Sequence, residues 1–476
     1  MGTRVLQGTG ASAADLRPGI AAIQQEQGLN EEFPHEVQQA AEAAVRSPRL
    51  PQRDLTHLDL VTIDPPGAMD LDQALHLEAD GDGYVVHYAI ADVMAFLDAG
   101  DPVDEEAHSR GESLYAPDSK IPLHPKVLSE AAASLLPDHV RPAFVWTIRL
   151  DATGMVSEAS VERALVRSRK QLDYAGVQDK IDRAPEGSTL SVLKAVGELR
   201  IAKEAERGGI SLPMPAQEVD VVDGQWRLEY REMLPVESWN AQISLMTGFA
   251  AAAIMIEGKV GILRTLPPAP EDAVKRLRRT AKALGIDWPQ DQGHPEFIRS
   301  LDPATPAAAA TVVACTTLLR GAGYAAFEGQ LPDQLQHAAL ASPYAHVTAP
   351  LRRLVDRYGL EACASLCAGE AVPRWVLDRL PDLPDIMRDS GRKANAYENA
   401  VLNLVEAQTL EPQVGAKFAA VVTEIDHDDE REGTVMIREP AVEAAVSSGS
   451  PLPVGEDVTV TLTEADPATR KVRFTL

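Results

Sequence analysis

Cysteine is scarce in this sequence. Cys315, Cys363 and Cys367 are the only three, with no Cys-x-x-Cys pair among them. No set of histidines completes a zinc-ligand spacing either, so a disulfide framework and a structural zinc site are both excluded. Cys363 and Cys367, four residues apart, are expected on one helix face as small buried apolar side chains. Long apolar runs are also missing: no stretch of about 18 residues reads as a membrane span. The first residues lack the charged-then-apolar layout of a signal peptide. The expectation is a cytoplasmic chain with no membrane-crossing segment. Positive charge is short as well, with 45 Lys and Arg against 71 Asp and Glu and a formal net charge of −26. Such a chain does not adhere non-specifically to polyanions, so a polyanionic ligand has to be met by a local cluster of cations. Candidates are Arg163 to Lys170, Lys275 to Lys282 and Arg352 to Arg357. The middle cluster continues a helical pattern and reads as a solvated face.

What is present is enough apolar material for several cores. With 476 residues, 45% of them hydrophobic, two to four domains are expected. Residues 1–52 read as a small helical segment, either helix-turn-helix-like or a brace. Its helices are Ser12 to Gln27, broken at Pro18-Gly19, and Pro34 to Arg46, opened by its proline; Gly8 to Ala11 reads as irregular. Residues 53–408 form the main domain. Leu58 to Ile63, Ala74 to Leu77, Tyr84 to Ile90 after the turn at Asp80 to Gly83, and Arg141 to Leu150 read as strands. A helix-rich region follows, with Trp239 to Ile256 apolar nearly all round and so a central buried helix, and a last helix over Pro384 to Ala407. Residues 412–476 change character: about five short strands separated by turns fit a small barrel of the OB type, which commonly binds single-stranded nucleic acid, although a β-rich cap has the same pattern.

The stretch Thr62 to Leu75, TIDPPGAMDLDQAL, carries the chemistry. Asp64, Asp70 and Asp72 flank a Pro-Pro-Gly turn between two strands and are expected to converge. Gathered carboxylates oppose one another's ionisation unless a cation or a proton offsets them, and hard oxygen donors suit Mg²⁺ or Mn²⁺. A solvated acidic turn is the plain alternative.

A second run, Tyr344-Ala345-His346-Val347-Thr348-Ala349-Pro350-Leu351-Arg352-Arg353 followed by Asp356, lies nearly three hundred residues later. Between the two sits Lys120-Ile121-Pro122-Leu123-His124-Pro125. With the acids first, this stretch second, the arginine run third and an OB-like tail last, the chain resembles the RNB exoribonucleases, the ribonuclease II and ribonuclease R group, over nearly all its length. The resemblance implies an α+β fold: an RNB catalytic domain of mixed sheets wrapped by helices around a buried channel, closed by an S-one-type OB barrel. It implies 3′-to-5′ processive hydrolysis of single-stranded RNA to nucleoside 5′-monophosphates by a monomer. Asp64, Asp70, Asp72 and the neighbouring Gln73 would hold two Mg²⁺ ions, or Mn²⁺. Asp70, Asp72 and Arg352 would be catalytic, with Arg352 gripping the scissile phosphate and Arg353 its basic neighbour. Tyr115 would stack on the 3′-terminal base, Tyr174 would be a second channel tyrosine, and Glu398 and His346 would lie near the RNA.

Three departures accompany it. The family's fourth acid is Gln73 here, so one negative charge is lost, and a catalytically weak or inactive RNA-binding relative becomes the alternative. Gln242 and Ile243 stand where a carboxylate linked to ribose recognition is expected. Leu212 stands where a second stacking aromatic is often found. About fifty residues precede the first strand, where full-length relatives carry two cold-shock domains, so a short form without them is the expectation. A metal-dependent phosphohydrolase of small molecules is the third reading, but it needs neither an OB-like tail nor channel tyrosines.

Overall fold

The computed structural model describes residues 4–5, 16–117, 119–212, 214, 216–222, 225–426 and 428–476. Gly8 to Ala11 and the expected helix start at Ser12 lie outside the described residues.

Five strands between residues 60 and 172 close into a barrel. Leu60–Ile63, Gln73–Asp80, Gly83–Ala91, Val140–Leu150 and Val156–Leu172 pair antiparallel in chain order, and the last pairs parallel with the first, Ile63 opposite Leu172. Closure removes both sheet edges. Tyr88, Phe144, Trp146 and Ile148 are fully buried, in one cluster with Trp239, Ile243 and Met246. The strand Val156–Leu172 corrects the expectation of helix after Leu150. Its Ala164, Val166 and Ser168 are buried and alternate with partly exposed Arg163, Arg167 and Arg169, a period of two that the arginines obscured. Ala216–Val222 with Gln225–Arg231, and Val260–Thr265 with Gly323–Glu328, are two further strand pairs inside the region read as helical.

The central helix spans Pro235–Gly258. It is long and apolar enough to cross a membrane by length and composition, which corrects the expectation of no such run. Half of its apolar window is buried in this fold, and it packs against Thr189–Arg207, Leu354–Cys367 and Val260–Thr265. The last long helix, Leu383–Leu410, packs on the C-terminal barrel, on the strand Gly323–Glu328 and on the N-terminal helix Arg17–Glu26. That N-terminal helix carries Pro18 in its first turn instead of breaking there, because a proline fits a first turn. Its Gly19 lies so close to Leu404 that a Cβ would sit 2.6 Å from a leucine methyl, and Gln24 donates to the Tyr397 hydroxyl at 3.1 Å. The second N-terminal helix, His35–Ala44, packs instead on Pro102–Arg110. Each helix thus braces a different part of the main domain.

The C-terminal strands Lys417–Ile425, Glu432–Ile437, Val442–Ser447, Asp457–Asp466 and Lys471–Thr475 close a second five-stranded barrel, as their pattern predicts. Cys315 and Cys363 are buried, whereas Cys367 is exposed, one turn further along at the end of its helix.

Candidate active site

Asp64 follows the first barrel strand, its N–H donating to Leu172 O at 3.0 Å. Asp70 and Asp72 straddle Leu71, which is fully buried and fixed on both sides: its N–H donates to Ser134 Oγ at 3.0 Å, and its carbonyl accepts from Leu135 N at 3.0 Å. Alternation about one buried leucine is what orients the two acids.

The arginine run folds onto them. Ala345 N donates to Gly248 O on the central helix at 3.1 Å. Any Cβ on Gly248 would meet the Tyr344 ring at 2.1 Å, so only glycine admits this approach. Ala349 N donates to Asp356 Oδ1 at 2.7 Å, and Leu351 N donates to Asp72 Oδ1 at 2.7 Å. Arg352 then reaches Asp72, Nε to Oδ2 at 3.5 Å, with its side chain 47% exposed. Arg353 behaves differently: it is largely buried and forms a two-point pair with fully buried Asp356, Nη2 to Oδ1 at 2.9 Å. Adjacent arginines have separate jobs, Arg352 facing open space beside the acids and Arg353 holding the loop.

The three acids lie along one wall but do not form a ready cage. Among the described residues no group of three or more His, Cys, Asp or Glu is placed to hold a metal ion. Cations attend two of the three acids. Lys120 Nζ lies 2.9 Å from Asp70 Oδ1 and 2.9 Å from Glu130, and Arg352 attends Asp72. Burial pulls the Lys120 ammonium towards neutrality, but Asp70 and Glu130 more than offset it and hold its pKa above the ordinary value. Among the described residues Asp64 makes no such ion pair, and Arg352 acts on it only as the weakest of four influences. Its Oδ2 is buried without a hydrogen bond, and burial, then repulsion from Asp70, pushes its carboxyl up to about 6. Asp72 is pushed well above the ordinary range by burial despite Arg352 and the Leu351 N–H. Hard oxygen donors whose charge is not neutralised are what a divalent cation relieves, so the donor chemistry fits such an ion with Asp64 as its most available ligand.

Gln73 is turned elsewhere. Its Nε2 donates to Thr348 O at 2.6 Å and its Oε1 accepts from the Tyr88 hydroxyl, with Ser244 Oγ 3.5 Å away. Tyr115 is carried by the short strand Leu114–Tyr115, paired with Lys120–Ile121, and its hydroxyl lies 3.5 Å from Asp70 Oδ2. Tyr174 opens the helix Tyr174–Ile181, which Asp173 caps, and accepts from Asn240 Nδ2 at 3.4 Å. Burial, and then the Asp64 charge, pushes the Tyr174 hydroxyl up to about 12. Both tyrosines therefore border the acid wall. His346 does not: Nδ1 lies 2.7 Å from the Tyr324 hydroxyl, its ring meets Tyr324 and Tyr344 edge-on, and burial among Arg353, Arg264 and Arg352 keeps it neutral. Glu398 is partly buried on the last long helix. That helix is tied to the arginine loop eight residues earlier, where Ser390 Oγ donates to Glu112 Oε1 at 3.0 Å and Glu112 bridges the Arg353 backbone.

Lys120, Tyr88, Asn240 and Ser244 were not singled out from the sequence. Lys120 alone had a signal there, as the first residue of the proline-leucine stretch. A cavity of about 1520 Å³ opens on another face of the central helix, where Ser238, Ala241, Gln242 and Leu245 line it together with Leu212 and Glu204. Gln242 Nε2 is committed to Glu204 Oε2 at 2.7 Å. Asn240 and Ser244 of the same helix face Tyr174 and Tyr88, so the helix stands between this cavity and the acids.

Residues 52–360 match the RNB domain, and residues 416–476 match the RNase II-type exonuclease C-terminal S1 domain. Ribonuclease R of Escherichia coli is 26% identical over 434 residues, which is 85% of this chain and 51% of that protein. The exosome complex exonuclease RRP44 homolog A of Arabidopsis thaliana is 27% identical over 356 residues, 70% of this chain and 37% of that protein. The chain thus spans about half, or less, of the curated relatives it matches. Mycoplasma genitalium RNase R, solved in complex with ribose methylated single-stranded RNA, superposes with a TM-score of 0.85 at 20% identity, covering 96% of this chain and 77% of the other. Yeast Ssd1, solved as a pseudonuclease, superposes at 0.73 with 17% identity over 96% of this chain and 58% of its own. With the RNB match covering well over half of its length, the chain belongs to the RNB exoribonuclease family.

Proposed function

We propose that the chain hydrolyses single-stranded RNA from its 3′ end, processively, to nucleoside 5′-monophosphates. The observation that carries this reading is the contact between two distant runs: Leu351 N–H on Asp72 Oδ1 and Arg352 Nε beside Asp72 Oδ2. Together they put a permanently charged, half-exposed guanidinium next to the acid wall. A planar guanidinium pairs well with phosphate oxygens, where charge builds as the phosphodiester breaks. Tyr115 and Tyr174 border the same wall and offer ring faces to bases, a contact indifferent to sequence. Asp64, Asp70 and Asp72 would hold Mg²⁺ or Mn²⁺, which supplies Lewis acidity to the phosphate and to an attacking water. Lys120 offsets part of the Asp70 charge.

A second reading, an RNA-binding relative with little or no hydrolysis, is favoured by one feature: Gln73 replaces an expected carboxylate and its amide is occupied at both ends. Incubation of the protein with 5′-labelled single-stranded RNA, with and without Mg²⁺ or Mn²⁺, separates the two. A metal-dependent ladder shortening from the 3′ end supports hydrolysis, and binding without shortening supports the second reading. Asp72→Asn is expected to keep RNA bound while slowing cleavage by about a hundredfold or more. Cleavage by that variant at the wild-type rate refutes the site.

A further inference from the structure

Gln73 lies beside Asp72 in the chain, yet its side chain points into a different set of partners. Beside the backbone bonds from Ser113 N to Arg352 O at 2.9 Å and from Ala345 N to Gly248 O at 3.1 Å, three side chains fasten the backbone of the loop that delivers Arg352: Thr348 O accepts from Gln73 Nε2 at 2.6 Å, Ala349 N donates to Asp356 at 2.7 Å, and Leu351 N donates to Asp72 at 2.7 Å. Asp356 and Asp72 are carboxylates and serve N–H groups. The remaining group is a carbonyl, which needs a donor, and Thr348 is almost wholly buried, so water is a poor substitute. Gln73 supplies that donor. Its own oxygen is held in turn by the Tyr88 hydroxyl, which also lies 2.8 Å from Ser244 Oγ on the central helix. One amide therefore links the barrel strands, the central helix and the arginine loop.

We propose that Gln73 is a positioning residue for Arg352 and not a fourth ligand of the metal site. The proposal rests on the reading that Arg352 serves the RNA phosphate. An aspartate at 73 has no donor for Thr348 O and is one methylene too short to reach it. A glutamate keeps the length but sets a carboxylate oxygen against the carbonyl. Restoring an acid here loosens the loop instead of completing a cage.

The test uses the full chain with Gln73→Met, which keeps length and removes donor and acceptor, and with Gln73→Glu. Tyr88→Phe is the milder third variant, because it leaves the amide in place and removes only the hydroxyl that orients it. Three quantities are read: Mn²⁺ binding by electron paramagnetic resonance, amide hydrogen exchange of the 345–353 segment in metal-free and RNA-free protein, and the KM and kcat of RNA shortening. Loss of one buried hydrogen bond predicts exchange in that segment about 3–10-fold faster in Gln73→Met, and less in Tyr88→Phe. Mn²⁺ affinity stays within about twofold, and kcat falls by a similar 3–10-fold with KM nearly constant. A Mn²⁺ affinity at least tenfold weaker in Gln73→Met, or segment exchange at the wild-type rate in both Gln73→Met and Tyr88→Phe, overturns the proposal. Arg352→Ala separates this failure from that of the underlying reading. If Arg352→Ala shortens RNA as the wild type does, the role of Arg352 falls; if it is impaired while loop exchange is unchanged in the Gln73 variants, only the positioning role falls.

Discussion

Asp64 is partly buried, carries an oxygen with no partner and has its carboxyl pushed up to about 6. Removing its charge is therefore expected to stabilise the metal-free protein. The sign follows from proton linkage. An acid whose folded pKa exceeds its unfolded 3.8 binds its proton more tightly when folded, so its contribution to stability falls as pH rises from about 4 to about 6 and stays low above that. Holding the carboxyl at about 6 instead of 3.8 corresponds to about 3 kcal/mol at about 1.36 kcal/mol for each tenfold proton ratio; solvent that still reaches Asp64 lowers this to about 1–3 kcal/mol. Asp64→Asn keeps the shape and removes the charge. At about 2.1 cal/mol/K per residue over a catalytic domain of roughly 300 residues, the gain is a rise of about 2–5 °C in melting temperature. The assay is thermal melting of wild type and Asp64→Asn in EDTA at pH 8 and at pH 5, repeated at pH 8 with Mg²⁺. The variant should melt higher at pH 8, the advantage should shrink at pH 5, and Mg²⁺ should raise the wild type more than the variant. An Asp64→Asn protein that melts at or below the wild type in EDTA at pH 8 refutes the reasoning that this carboxylate waits for a cation.

Two further predictions follow from the same wall. Arg352→Ala is expected to leave stability within about 1 kcal/mol, since its ion pair is half exposed, while cutting RNA shortening; Arg353→Ala leaves buried Asp356 unpaired and should cost about 3–5 kcal/mol in denaturant unfolding. Equal stability losses in both would show that the division of labour is wrong. Tyr115→Phe should keep RNA affinity, because stacking needs only the ring, whereas Tyr115→Ala should weaken it by about 1–3 kcal/mol in a filter-binding titration; a loss as large in Tyr115→Phe would assign the effect to the hydroxyl near Asp70.

The C-terminal barrel and the early strands of the first barrel were legible where hydrophobic alternation ran between Gly, Pro or Asp turns, as in Gln73–Asp80 with Gly83–Ala91 and in the five C-terminal strands, whereas the closure of the first barrel was not expected. Val156–Leu172 was not, because the arginines at 163, 167 and 169 share the strand with its buried row and resemble a basic helix face. The central helix was legible from its apolar character, but that same character passes for a membrane span until its partners are known. At the site, the acids stood out by residue type and spacing, and Tyr115 and the role of Arg352 came through the family resemblance. Three things did not. Lys120 takes Asp70 only because a short strand pair brings it there. Arg353 differs from Arg352 only by which side of the loop it leaves. Gln73 reads as a weakened metal ligand in sequence, and its partner, Thr348 O, is a backbone atom that no motif can show.

On the proposed reading, the placement of positive charge decides how a chain of net charge −26 would meet RNA. Several cations of the main domain are already paired: Arg163 with Asp92 and Glu361, Arg357 with Asp104, Arg353 with Asp356, and Lys120 with Asp70 and Glu130. These pairs lie in partly or fully buried positions and fix strands, helices and the arginine loop to one another; they release few counterions when a polyanion arrives. Arg352 is the contrasting case beside the acids, its side chain half exposed with a 3.5 Å contact to Asp72. The attraction for phosphate is thus local, short in range and aimed at one phosphate instead of a long stretch of backbone. A weak dependence of RNA affinity on salt is the consequence, with a log–log slope nearer −1 than the steeper slopes of proteins that neutralise six or more phosphates. A slope of about −5 would require a basic track elsewhere on the chain, and would move the main source of affinity away from the acid wall.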